Sequence, residues 1–158
     1  MAANAAVMVV DDDDGMRSLV GEVLSRAGHG SSAALASRPR EGVASAMNAL
    51  LNGYREEAEI YLHVLQLTWR QRDVLRNGFD VSLFRDLLQE KEDLLRMAAQ
   101  INSEMKDAKS LALSYPPAKW PDRRELETVL DRLADTVEEV SIAEGDNACL
   151  LEAVRAAN

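Results

Sequence analysis

Cysteine, histidine and aromatic residues are nearly missing from this chain of 158 residues. A single cysteine, Cys149, excludes an intramolecular disulfide and fits a reducing compartment. With two histidines and one thiol, there is no His-x-x-x-His, no Glu-x-x-His and no cysteine pair, so no metal site is expected. No glycine-rich phosphate loop occurs, and no other cofactor site is expected. Aromatics make up 4% of a chain that is 47% hydrophobic, which favours packed helices over a β-sandwich. Positive charge is in deficit: 18 basic residues against 27 acidic ones leave a net charge of −9. Phosphate backbones repel such a chain, so nucleic acid is not an expected partner. No apolar run reaches the roughly 20 residues that cross a bilayer, and no membrane insertion is expected. Ala5 to Val10 is too short for a signal-peptide core and is followed at once by Asp11 to Asp14. The expectation is a cytosolic protein.

What is present divides into two regions, residues 1–40 and 41–158. In the first, Val7 to Val10 reads as a short buried strand. Gly15 to Ala27 carries apolar residues at helical spacing: Met16, Leu19, Val20, Val23 and Leu24. Gly28-His29-Gly30 stops that pattern, and Ser31 to Arg40 reads as a linker.

Val9-Val10-Asp11-Asp12-Asp13-Asp14-Gly15-Met16-Arg17, followed by Leu24-Ser25-Arg26-Ala27-Gly28-His29, resembles the opening of a response-regulator receiver domain, over about residues 7–29. The resemblance implies that Asp11 and Asp12 stand where that family holds Mg²⁺, a hard cation that takes oxygen ligands. The later aspartate and lysine that the family's chemistry needs have no counterpart here. One strand and one helix cannot bury both faces of a sheet, so the segment is read as a remnant, structured or disordered, without phosphotransfer.

The second region is helical almost throughout. From Val43 to Arg76, the positions Met47, Leu51, Tyr54, Ala58, Tyr61, Leu65, Thr68, Arg72 and Leu75 alternate at spacings of four and three. That is a coiled-coil-like seam, and Ile60, Val64 and Leu67 widen it enough for more than one partner helix. Asn77-Gly78 ends the helix. Asp80 or Ser82 can cap a second helix running to about Ser114. Its seam comprises Leu87, Leu94, Ala98, Ile101, Met105, Ala108 and Ala112. Lys91 falls on that seam and is expected to snorkel outward. Tyr115 to Pro121 cannot continue a helix, and Pro121 or Asp122 opens a third. Leu126, Leu130, Leu133, Val137, Val140, Leu151 and Val154 form its seam. Glu144 and Asn147 interrupt the pattern, Gly145 weakens the helix there, and a kink or soft spot is expected near Ala143 to Asp146. Trp120 is expected to pack over the end of the bundle. The fold class is all-α: an antiparallel bundle of three long helices with coiled-coil-like seams.

Nothing in this pattern favours catalysis, and no catalytic residue is assigned. His63 begins the run His63-Val64-Leu65-Gln66-Leu67, which lacks the Lys-Gly pair of histidine phosphotransfer domains, and is read as a partly exposed structural histidine. Cys149, between Ala148 and Leu150, is read as an inert core thiol.

Three pieces, in order, resemble the FlgN family of flagellar export chaperones over about residues 53–157. They are Arg72-Asp73-Val74-Leu75-Arg76-Asn77-Gly78, then Leu87-Leu88-Gln89-Glu90-Lys91-Glu92-Asp93-Leu94-Leu95, then Asn147-Ala148-Cys149-Leu150-Leu151-Glu152-Ala153. The resemblance implies a cytosolic, non-enzymatic chaperone. Such a chaperone binds C-terminal helices of hook–filament junction proteins and delivers them to the flagellar export apparatus by helix-in-groove recognition. Its C-terminal helix would be the partner-binding element, with Leu150, Leu151 and Val154 as anchors and Asn147 setting register. The receiver-like start and the proline-rich break before the third helix depart from the family. Two other readings stand beside it: a two-component signalling fragment with a helical output or dimerisation segment, and a generic self-associating coiled-coil scaffold.

Overall fold

The computed structural model describes residues 39–158. The strand and helix expected within Val7–Ala27, and the linker as far as residue 38, lie outside the described residues. Pro39 and Arg40, read as linker, are instead the first residues of a helix. Proline suits that place, because the first turn has no use for its missing N–H.

Among the described residues all regular structure is helical. α1 spans Pro39–Arg76, α2 Val81–Glu104, α3 Lys106–Leu113 and α4 Arg123–Ala157, with a single 3-10 turn at Pro117–Lys119 before α4. The turn between α1 and α2 follows from local chemistry. Gly78 takes a φ of 97°, open to a residue without a Cβ. The Asp80 carboxylate then accepts from the Leu83 N–H at 3.0 Å, capping α2. At the opposite end, Tyr115 to Pro121 breaks the chain as expected. Trp120 is buried there and its indole Nε1 donates to the Ala112 carbonyl at 2.9 Å, tying the turn to the end of α3.

The expected second helix is divided. At Met105 ψ relaxes to −4°, and α2 gives way to α3. No proline or glycine marks the place. At this place Met105 packs so closely against α1 that its side chain fills the space a Cβ on Gly53 would need. The kink expected near Gly145 does not form, and α4 runs unbroken through it. One glycine costs a helix only about 1 kcal/mol, which packing against α1 can offset.

α1 is the helix against which the others pack. Arg55 pairs with Glu125 and Arg72 with Asp146, so α4 rises alongside α1 in the same sense. His63 faces Glu90, Gln71 meets Lys91 and Tyr54 lies beneath Lys109, so α2 and α3 run back against α1. The core has two parts. Near the Trp120 end, Val43, Met47, Leu50, Tyr54, Met105, Ala112, Trp120, Leu126, Leu130 and Leu133 are buried together. Further along, Ile60, Val64, Leu65, Ala98, Val140 and Ala143 form a second cluster. The seam positions read from the sequence supply most of both. Burial of each large aliphatic side chain contributes about 1.5–3 kcal/mol against the entropy of ordering the chain.

Candidate functional site

Beyond the second cluster the interior changes character. Thr68 and Gln71 of α1, Lys91 of α2 and Asn147 of α4 are all buried, at 0%, 1%, 5% and 5% exposure. Periodicity places each of them on the inward stripe of its helix, so the same helical geometry that buries leucine elsewhere buries polar groups here. The Lys91 ammonium donates to Gln71 Oε1 at 2.8 Å and pairs with the Glu144 carboxylate. Thr68 Oγ1 lies 2.9 Å from both the Val64 carbonyl and Glu144 Oε1. A hydroxyl has one proton and can donate to only one of them at a time. Asn147 Nδ2 donates to the Thr68 carbonyl at 2.8 Å. Arg72 reaches Asp146 at 2.8 Å from the partly exposed edge.

Lys91 therefore does not snorkel. It is sealed between three helices because Gln71 and Glu144 stand where its ammonium needs acceptors, and a buried charge is tolerable only with such partners. The layer is incompletely satisfied: Gln71 Nε2, Arg72 Nε and Asn147 Oδ1 have no hydrogen-bond partner among the described residues.

The four residues singled out from the sequence separate on this layer. Asn147 is part of it and faces α1. Leu150, Leu151 and Val154 lie past it and are only half-buried. α4 thus meets the bundle through fully buried aliphatics such as Leu126, Leu133 and Val140, then through polar groups, then through partly covered aliphatics. The α1–α2 turn lies at the same end. There Val81 and Leu83 are exposed, at 55% and 42%, and Phe79 meets Phe84 edge to face with centroids 5.4 Å apart. Sequence reasoning missed Phe79, Val81 and Leu83. Their signal was four large hydrophobics within Phe79 to Phe84, more than a capped first turn needs. Leu62 and Trp69, seven residues apart on α1, are also exposed.

The remaining candidates are separated from one another. His63 is half exposed and lies 3.7 Å from Glu90, as a surface histidine does. Cys149 is exposed, which corrects its reading as a core thiol. It sits two residues past Asn147, and a shift of two positions turns a helical residue to the opposite face. Among the described residues no group of three or more His, Cys, Asp or Glu could hold a metal ion, and no helix is long and apolar enough to cross a membrane.

Near the Trp120 end, Tyr54 is buried with its hydroxyl unpaired among the described residues. Burial, and secondarily the Glu57 carboxylate, push that hydroxyl well above the ordinary tyrosine range. Lys109 stands 5.4 Å from the Tyr54 ring centroid, and burial pulls its ammonium below the usual lysine value while Glu57 opposes the shift. Tyr54 and Lys109 line a small, almost wholly apolar cavity with Leu50, Ala112, Trp120 and Leu126.

No family model, no curated protein and no solved structure matches the chain.

Proposed function

We propose that this protein is a cytosolic, non-enzymatic chaperone that binds the C-terminal helices of flagellar hook–filament junction proteins and delivers them to the export apparatus. In this reading the helices form a three-legged antiparallel bundle with coiled-coil-like seams, and the distal end of α4 is the partner site. The observation that supports it is the half-burial of Leu150, Leu151 and Val154 beyond the polar layer, at the same end as the exposed Val81 and Leu83. Aliphatic side chains held loosely at a helix end offer anchors to an amphipathic helix at small loss to the free protein. The family resemblance of Asn147 to Ala153 supplies the class of partner.

The test is a Leu150→Ala, Leu151→Ala double variant. A Leu→Ala change in a packed core costs roughly 2–5 kcal/mol per site. As surface anchors these two cost the free protein much less, while affinity for a junction-protein C-terminal peptide collapses, as loss of apolar anchors requires. Calorimetric titration and urea unfolding read the two quantities separately. A double variant that melts far below the parent yet binds the peptide normally under folding conditions refutes the assignment. Pulldown from a motile host discriminates the other readings: a histidine kinase supports the signalling fragment, and the chain alone supports the scaffold.

A further inference from the structure

We propose that the polar layer divides α4, so that residues 144–157 open and close as one unit while the hairpin of α1 and α2 stays shut. The layer is asymmetric in a way that permits this. Lys91 and Gln71 bond each other across α1 and α2 at 2.8 Å, and that bond survives the departure of α4. Glu144, Asp146 and Asn147 supply every contact by which α4 enters the layer. Swinging them away exposes a carboxylate, an ammonium and amides, which water solvates. Separating Val140 and Ala143 from Val64 and Leu65 instead exposes apolar surface. The cheap opening therefore stops at the boundary between Ala143 and Glu144. Gly145 sits one residue beyond that boundary with nothing within 4 Å of where a Cβ would stand, and gives the backbone the freedom a hinge needs. The partial coverage of Leu150, Leu151 and Val154 holds the segment closed only weakly.

The inference deepens the reading of α4 as a partner site by giving that site a release mechanism. Its test involves no partner, so either can fail alone. Hydrogen exchange on the full chain, resolved by residue, measures it. Amides of residues 148–157 exchange at a common rate with a common, shallow denaturant dependence. That rate is on the order of 100-fold faster than for the amides of Val140, Ala143 and the middle of α1. A variant closes the hinge: Lys91→Met with Gln71→Leu and Glu144→Leu removes the buried charge together with both of its partners at similar volume. It slows exchange of residues 148–157 by about tenfold or more relative to the parent. A smooth gradient from the chain end with no step at the layer is ordinary fraying and overturns the proposal. So does exchange of residues 148–157 only by global unfolding, or a variant that folds and leaves the step unchanged.

Discussion

Replacing Gly53 by alanine should destabilise the bundle, whereas the same replacement at Gly145 should stabilise it. Both glycines lie inside long helices, where alanine is favoured over glycine by about 0.8–1.0 kcal/mol. At Gly145 an added Cβ meets nothing within 4 Å, so the whole of that gain is expressed. At Gly53 the Cβ overlaps the Met105 sulfur and lies 2.8 Å from its Cγ and 3.3 Å from its Cε. Met105 is 4% exposed and packed within the buried cluster around Trp120. Overpacking a core by one methyl costs about 1–3 kcal/mol, so the net change at Gly53 is a loss of about 0–2 kcal/mol. Urea unfolding with an unchanged m-value measures both variants on one scale, and the two should differ by about 1–3 kcal/mol. The cause is checked by a double-mutant cycle. Met105→Ala alone costs roughly 2–5 kcal/mol through the cavity it leaves. In that background Gly53→Ala should become stabilising, because the obstructing sulfur is gone, with a coupling of about 1–3 kcal/mol. A Gly53→Ala protein more stable than the parent by about the full 0.8–1.0 kcal/mol of helix propensity, or one with the same effect in both backgrounds, refutes the close approach of α1 to Met105.

Three further predictions follow from the same geometry. Lys91→Met keeps the aliphatic stem but, like Lys91→Ala, leaves Gln71 and the 29%-exposed Glu144 side chain without their common donor, so each should cost on the order of 3 kcal/mol; a Lys91→Met protein as stable as the parent in denaturant titration would show that the charge is immaterial. Tyr54→Phe removes a buried, unpaired hydroxyl and should raise stability at neutral pH by about 1 kcal/mol. It should also flatten the alkaline limb: the folded-state value of Tyr54 lies above the ordinary 10.0, so its contribution is full below that pH and is lost as pH rises through the folded value. Lys109 acts in the opposite sense, since a folded value below 10.5 lets stability recover as pH rises towards 10.5, so the difference between parent and Tyr54→Phe melting curves across that range isolates the tyrosine. Removal of residues 1–38 should leave a cooperatively melting helical protein, because among the described residues the buried clusters are built from Val43 onwards; a calorimetric transition that broadens or vanishes would contradict this.

Much of the helical layout was legible because its signals are local. The four-three spacing of Met47, Leu51, Tyr54 and Leu65 states which face of α1 turns inward, and the structure buries all four. Asn77-Gly78, Asp80 and the prolines around Trp120 mark turns through the conformations that these residues favour, whatever surrounds them. The aliphatic end of α4 was visible for the same reason. Three departures concern residues whose state depends on a helix far away in the chain. Lys91 is buried, not exposed, because Gln71 and Glu144 reach it from positions 20 and 53 residues distant. Met105, where the middle helix divides, packs into the space that Gly53, on another helix, leaves open. α4 passes straight through Gly145 because the contacts of Val140, Ala143 and Asn147 hold it on both sides. Periodicity tells which residues face inward. Only the register between helices tells what they face, because a polar side chain changes from a cost to a contact according to whether a partner stands within hydrogen-bond distance.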